Sequence, residues 1–457
     1  MALKSVLPWA YLVLALTFSL LAARITPPFM PPDEVTHFSR SDMLTYGYAT
    51  RRDPGPHGAA TLLLLRTHSS IYEAAAAYER VKFHPWEKVT ASDHAVASAP
   101  RFDARLGYAS PGAAMNPALY GPSAVAVGIG RHFGWPILSA LFLGRVLTAL
   151  VCAGLGFLAL LRAGRARLPI FAILMLPMCQ SLFGAVSQDG PVIALTALAI
   201  AELSRAMDEG RPLRPREWGL AVVCLTLVAV AKAPYVVFLL LLLAAPCARR
   251  AWAVAAVLAG AAAALGWAVW TSVDGWAALP PAGMNADAPG QAAGLLHQPA
   301  AVFAVATQTL QARGGGWAHQ FIGVLGYLDT ALPDWFYWTA YGMLALAFLA
   351  AAGVGLARAW TPFRWLAPAV VLISFAAVAG ALYLTWTPVG APVVEGVQGR
   401  YLLPIGLVLT LLTTGSRPAL AGAGGRVREG VAWAVLAFPV VSLLVVLSTL
   451  VQRYYGV

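Results

Sequence analysis

Charge is what this sequence has little of. Only 11% of its 457 residues are Asp, Glu, Lys or Arg, against roughly 25% in a soluble domain. A solvated globular surface over most of the chain is thereby excluded. Cysteine is scarce as well. Cys152, Cys179, Cys224 and Cys247 each lie in or at the end of an apolar run, without paired spacing. They read as small buried hydrophobes, with no disulfide framework or zinc motif implied. No Walker A loop, dinucleotide-binding glycine pattern or nucleophile elbow occurs, so ATP-driven chemistry within the chain is not expected.

Apolar sequence is there in abundance, at 59% of residues. Runs of about 18 or more recur through most of the length, which predicts an all-α, polytopic integral membrane protein. The formal charge of +11 is no nucleic-acid signal, because most of the basic residues punctuate the ends of apolar runs, as the positive-inside effect requires. The N-terminal run lacks a small-residue cleavage site before Pro27 and Pro28 and is read as an anchor.

The spacing predicts about eleven spans in a single domain, residues 1–457. Leu7 to Ile25 is the first, with Lys4 setting a cytoplasmic N-terminus. A large first external loop, 26–135, is expected to carry interfacial helices, including one from Pro117 to Phe133. Pro136–Leu161, Pro169–Gly184 and Pro191–Ser204 cross next, and a hairpin from Trp218 to Cys247 turns at Lys232. Each of its arms has 13 or 14 residues, about 20 Å of helix against a core of roughly 30 Å. Lys232 is therefore expected below the outer surface, in a polar cavity. Ala251–Thr271, Trp335–Leu356, Leu366–Trp386, Tyr401–Thr414 and Val431–Val451 complete the set, with a second external segment at 272–334.

In this layout the plain basic clusters face the cytoplasm and the unusual polar motifs face outward. The outward motifs are PPDEVTHF (Pro31–Phe38), SQDG (Ser187–Gly190), AKAPY (Ala231–Tyr235), GYLD (Gly326–Asp329) and QGRY (Gln398–Tyr401). Their convergence predicts one external site. Asp33, Glu34 and His37 share a face if a helix starts at Pro32. They form either a helix cap or an acid/base cluster, and the two carboxylates and the histidine could also hold a divalent cation. Lys232 inside a span is costly. It either snorkels to the interface or meets an anion. Arg400, between Gly399 and Tyr401 and beside Gln398, is either an interfacial arginine or a fork for phosphate oxygens. Asp189 either caps the returning helix or pairs with Lys232 or Arg400. Asn116 and Tyr120 open the interfacial helix near the expected cavity. Asp329 and Asp334 read as turn residues, and His57, His68, His84 and His94 as loop histidines. Trp86, Trp276, Trp317 and Trp335 either anchor surface helices or stack on sugar rings.

PPDEVTHF after the first span, NPALYGP (Asn116–Pro122), SQDG, AKAPY, GVLGYLDTALP (Gly323–Pro333) and GVQGRYLLP (Gly396–Pro404) occur in that order. Together they resemble a bacterial family of predicted membrane proteins, labelled as a domain of unknown function, which is similar to the GT-C glycosyltransferases. The resemblance implies an enzyme of the bacterial inner membrane with an external, periplasmic active site. Its donor would be a polyprenyl-phosphate-linked sugar, and its acceptor a glycan, glycolipid or protein. It implies that Asp33 is the catalytic acidic residue of the first loop and Glu34 its neighbour, Asp33 being expected to act as general base on the acceptor hydroxyl. No cofactor is demanded, and a divalent cation at Asp33, Glu34 and His37 is compatible with the pattern. His37, Asn116, Tyr120, Asp189, Lys232, Gln398, Arg400 and Tyr401 are the expected substrate-binding residues, the phosphate role of Lys232 and Arg400 resting on charge and placement. The rivals are a transporter or flippase of lipid-linked sugars and a polysaccharide polymerase or ligase. No inverted repeat of interrupted helices, which many secondary transporters show, is visible.

Overall fold

The computed structural model describes residues 2–47, 65–102, 106–109, 115–245, 250–273, 286–352, 363–414 and 424–456. Helices dominate them. Two antiparallel two-stranded pieces are the exception to an all-α chain: Leu65–His68 with Leu106–Ala109, and Val324–Leu325 with Thr330–Ala331. Six helices among the described residues are long and apolar enough to cross a membrane: Ser5–Ile25, Ile137–Arg162, Asp189–Glu209, Arg250–Thr271, Arg364–Thr385 and Arg426–Tyr455.

The helix Asp189–Glu209 is the buried centre. Ala194, Ala197, Ala199 and Ala201 on it are fully buried, and such small side chains let neighbouring helices approach closely. It packs against Ile137–Arg162, Pro215–Ala231 and Leu402–Leu409. Peripheral helices instead turn large apolar groups outward, such as Trp252, Leu258 and Leu372, as lipid-facing surfaces do.

Several expected spans are broken, and proline accounts for the breaks. The stretch Pro169–Gly184 forms two helices, Arg167–Leu174 and Pro177–Phe183. Leu176, directly before Pro177, is extended, because the proline ring clashes with a helical predecessor. The hairpin is likewise a helix, Pro215–Ala231, then an extended Lys232, then a 3-10 turn from Ala233 to Leu240 and a short helix, Leu241–Ala244. These two arms pack against each other, with Lys232 at the turn as the spacing predicts.

The segment between the candidate spans Ser5–Ile25 and Ile137–Arg162 contributes the helices Glu34–Thr45, Ser69–Ala76, Ala91–Ser98 and Gly121–His132. Asp42 ties two of its pieces together. Its Oδ2 accepts from Thr67 Oγ1 at 2.7 Å and from the His68 backbone at 2.9 Å. His68 is therefore no free loop histidine. Its imidazole is buried between Asp42 and the Tyr46 hydroxyl, 2.8 Å away. Asp329 closes a second junction, accepting from Arg453 Nη2 at 3.0 Å and from the Phe83 backbone at 2.9 Å. Its turn thus docks the first loop on the end of the last helix. Cys247, His57 and Trp276 lie outside the described residues. Trp317 is buried and donates to the Val397 carbonyl at 2.9 Å, so it is a structural anchor and not a sugar platform.

Candidate functional site

The segment Pro27–Asp33 bends sharply between the first span and the helix Glu34–Thr45. Phe29 (φ 62°) and Asp33 (φ 59°) both adopt the left-handed region, uncommon for residues with a side chain, though aspartate, like asparagine, tolerates it better than most. Asp33 occupies the N-cap position, yet its side chain makes no capping bond. Capping requires extended backbone geometry, which the left-handed turn denies. The carboxylate points away from its own helix and accepts from Arg400 Nη2 at 2.5 Å. The cap reading of Asp33 is thus replaced by an inter-segment ion pair.

Glu34 does not join it. Its carboxylate is fully buried and held by Arg145, through Nε at 2.8 Å and Nη2 at 2.5 Å. The Phe29 and Val186 backbone N–H groups each add a bond at 3.0 Å. Arg145 also donates to the carbonyls of Ala23, Thr26 and Pro27, at 2.7, 2.8 and 3.0 Å. Adjacent acids at a helix start point in different directions. One here is locked into the scaffold while the other faces the open side. Asp33, Glu34 and His37 therefore do not converge as a cation site. Among the described residues, no three His, Cys, Asp or Glu side chains are so grouped.

Arg400 comes from the QGRY turn. Gly399 lets that turn lie against the helix Ala301–Ile322. A Cβ at Gly399 would stand 2.2 Å from the Trp317 carbonyl oxygen and 2.9 Å from the Phe321 nitrogen. The Gly399 N–H donates to Gln320 Oε1 at 2.6 Å, and Arg400 emerges buried beside Asp33. Asp189, first residue of the central helix, then bridges both bases. It pairs with Lys232 and lies 3.4 Å from Arg400 Nη1. The Lys232 ammonium also stands 4.3 Å from the centre of the Tyr401 ring, a cation–π contact.

These groups line one cavity of about 260 Å³, together with His37, Met115, Gln188, Pro234, Tyr235 and, on an apolar wall, Val378, Ala381 and Leu382. Two acids face two bases, so the formal charge of the set is zero. Burial acts to raise the Asp33 carboxyl, but the Arg400 charge and hydrogen bond outweigh it and hold the group below its ordinary value. For His37, burial depresses the imidazole to about 4; Asp189 and Asp33 oppose the fall, and Arg400 and Lys232 favour it. His37 is therefore neutral at physiological pH. Its Nδ1 meets the Tyr120 hydroxyl at 2.5 Å.

The structure brings Asp33, His37, Asp189, Lys232, Arg400 and Tyr401 to the cavity. Tyr120 reaches it through His37 and through Met115, its hydroxyl lying 3.0 Å from Met115 Sδ. Asn116 caps the turn Pro117–Leu119, accepting from Ala118 N at 3.0 Å, and does not line the cavity. Gln398 starts the Arg400 turn, again off the cavity wall. Arg145 and Gln188 were not among the expected site residues. A lone arginine inside the apolar run Ile137–Arg162 is itself a signal for a buried partner. Gln188 lies within SQDG but carries no charge to mark it.

The family of predicted membrane proteins designated DUF2142 has a model that matches residues 16–409. The chain belongs to that family. No curated protein and no solved structure matches it.

Proposed function

We propose that this member of the family is a membrane glycosyltransferase, GT-C-like in architecture, with about eleven spans and its cavity opening to the outer, periplasmic side. It moves a sugar from a polyprenyl-phosphate donor to an acceptor hydroxyl. One observation carries the reading. A single cavity combines a half-exposed carboxylate, two basic side chains and an apolar wall on a candidate membrane span. A lipid phosphate bearing a polar head needs such a set.

Asp33 acts as general base and takes the acceptor hydroxyl proton. The acceptor oxygen forms its bond to the anomeric carbon with inversion, and the bond from that carbon to the phosphate oxygen breaks. Polyprenyl phosphate departs with one more negative charge than the phosphodiester carried, and Lys232 and Arg400 stabilise that charge. Glu34 has no chemical step, being bound to Arg145.

The ion pairs couple donor binding to catalysis. With the cavity empty, Arg400 weakens Asp33 as a base by stabilising its ionised form. A phosphate that takes over Arg400 removes that partner and adds a negative neighbour, and the Asp33 carboxylate becomes more basic. The donor thereby arms the base before the acceptor reacts.

The test is to supply purified protein in lipid nanodiscs with polyprenyl-phosphate sugars and acceptor glycans, and to measure released polyprenyl phosphate. Release that depends on Asp33 supports the reading. Lipid crossing a vesicle bilayer with no release would identify a flippase instead.

A further inference from the structure

Gln188 is a polar cavity residue outside the ion pairs. It stands at the N-cap position of the central helix, makes no capping bond and is 6% exposed. Its side-chain Oε1 is buried with no hydrogen-bond partner, and the residue lines the cavity beside Asp33, His37 and Asp189. Burying an unpaired acceptor is unfavourable. Arg400 Nε, in the same cavity, is also buried without a partner.

The chemistry of the group narrows what it can meet. A carboxamide is uncharged, so it adds nothing to phosphate capture, which Lys232 and Arg400 supply. It presents an acceptor and donors side by side, the combination that orients a hydroxyl-bearing ligand in a pocket. Gln188 immediately precedes Asp189, whose carboxylate touches both bases. A hydroxyl bound by Gln188 therefore belongs to the part of the ligand next to the phosphate.

We propose that Gln188 determines specificity by accepting a hydrogen bond from a ring hydroxyl near the anomeric carbon of the donor sugar. This rests on the reading of the cavity as a polyprenyl-phosphate-sugar site.

The test compares two ligands on wild type and Gln188→Met, which keeps side-chain length and removes the polar atoms. The ligands are farnesyl phosphate and its esters with glucose, galactose, mannose, N-acetylglucosamine and arabinose, of which the tightest-binding is carried forward. Gln188→Met should lose about tenfold or more in affinity for the glycosylated lipid and change less than about twofold for bare farnesyl phosphate. If Gln188→Met does not accumulate, Gln188→Asn, which withdraws the amide by one methylene, should show the same selective loss. Unchanged affinity for both ligands overturns the proposal, as does an equal loss on both, which would mark an effect on the neighbouring bases. Wild type that binds neither overturns the site reading itself.

Discussion

In the proposed mechanism Asp33 and an incoming phosphate compete for Arg400, and that competition fixes the sign of one measurement. In an Arg–carboxylate contact such as this one, with Nη2 and Oδ2 2.5 Å apart, the charge centres lie about 4 Å apart. Their attraction is about 4 kcal/mol at an effective dielectric near 20. The Asp33 side chain is 44% exposed, so solvent screening reduces the usable part to about 1 kcal/mol. Asp33→Asn removes the competing charge while keeping the shape. Farnesyl phosphate should then bind about fivefold more tightly, while sugar transfer falls by about 10²–10⁴ for want of the base. Isothermal titration calorimetry in detergent near pH 7.5, with Arg400→Ala as the variant of opposite sign, reads the first effect. Released polyprenyl phosphate reads the second. Unchanged or weaker binding by Asp33→Asn would refute the competition, and with it the coupling of donor binding to base strength.

Three further outcomes follow from the same geometry. Glu34→Gln leaves the Arg145 charge buried without its counterion, a loss of about 3–5 kcal/mol; thermal unfolding should fall sharply, whereas normal stability would return Glu34 to the list of chemical groups. His37 titrates at about 4 in the folded chain against 6.5 ordinarily, so its contribution is complete above 6.5 and is lost as pH falls towards 4. The drop in unfolding temperature between about pH 7.5 and pH 5 should be smaller in His37→Gln than in wild type, and equal drops would mean that this imidazole does not set the window. Gly399→Ala drives a Cβ to 2.2 Å from a backbone carbonyl. Such overpacking costs about 1–3 kcal/mol, and the shifted turn should weaken farnesyl phosphate binding; unaltered affinity would show that the turn does not position Arg400.

The legible part of the site was its charge. Lys232, Arg400 and Asp33 are conspicuous because ionised groups beside apolar runs need partners, and proline and lysine marked the hairpin turn. Direction was not legible. Nothing in the pair Asp33–Glu34 says that a left-handed turn sends one carboxylate to Arg400 and the other to Arg145, 111 residues away in sequence. Nor do Asn116 and Gln398 reveal that their backbones turn their side chains off the cavity wall. Span lengths were legible where runs were uninterrupted, as in Ile137–Arg162, and blurred where a proline such as Pro177 splits one run into two helices.

The Arg145–Glu34 knot also constrains the order in which this protein can be made. The chain emerges N-terminus first, so the first span and Glu34 emerge before Arg145, which lies 111 residues beyond Glu34. Until then Glu34 lacks its counterion, and the carbonyls of Ala23, Thr26 and Pro27 lack the guanidinium that later caps them. Polar groups in that state cannot settle into hydrocarbon. The loop bearing Asp33 can therefore reach its final shape only after the helix Ile137–Arg162 has inserted. The Arg145–Glu34 pair thus ties the placing of Asp33 to the presence of the helix Ile137–Arg162.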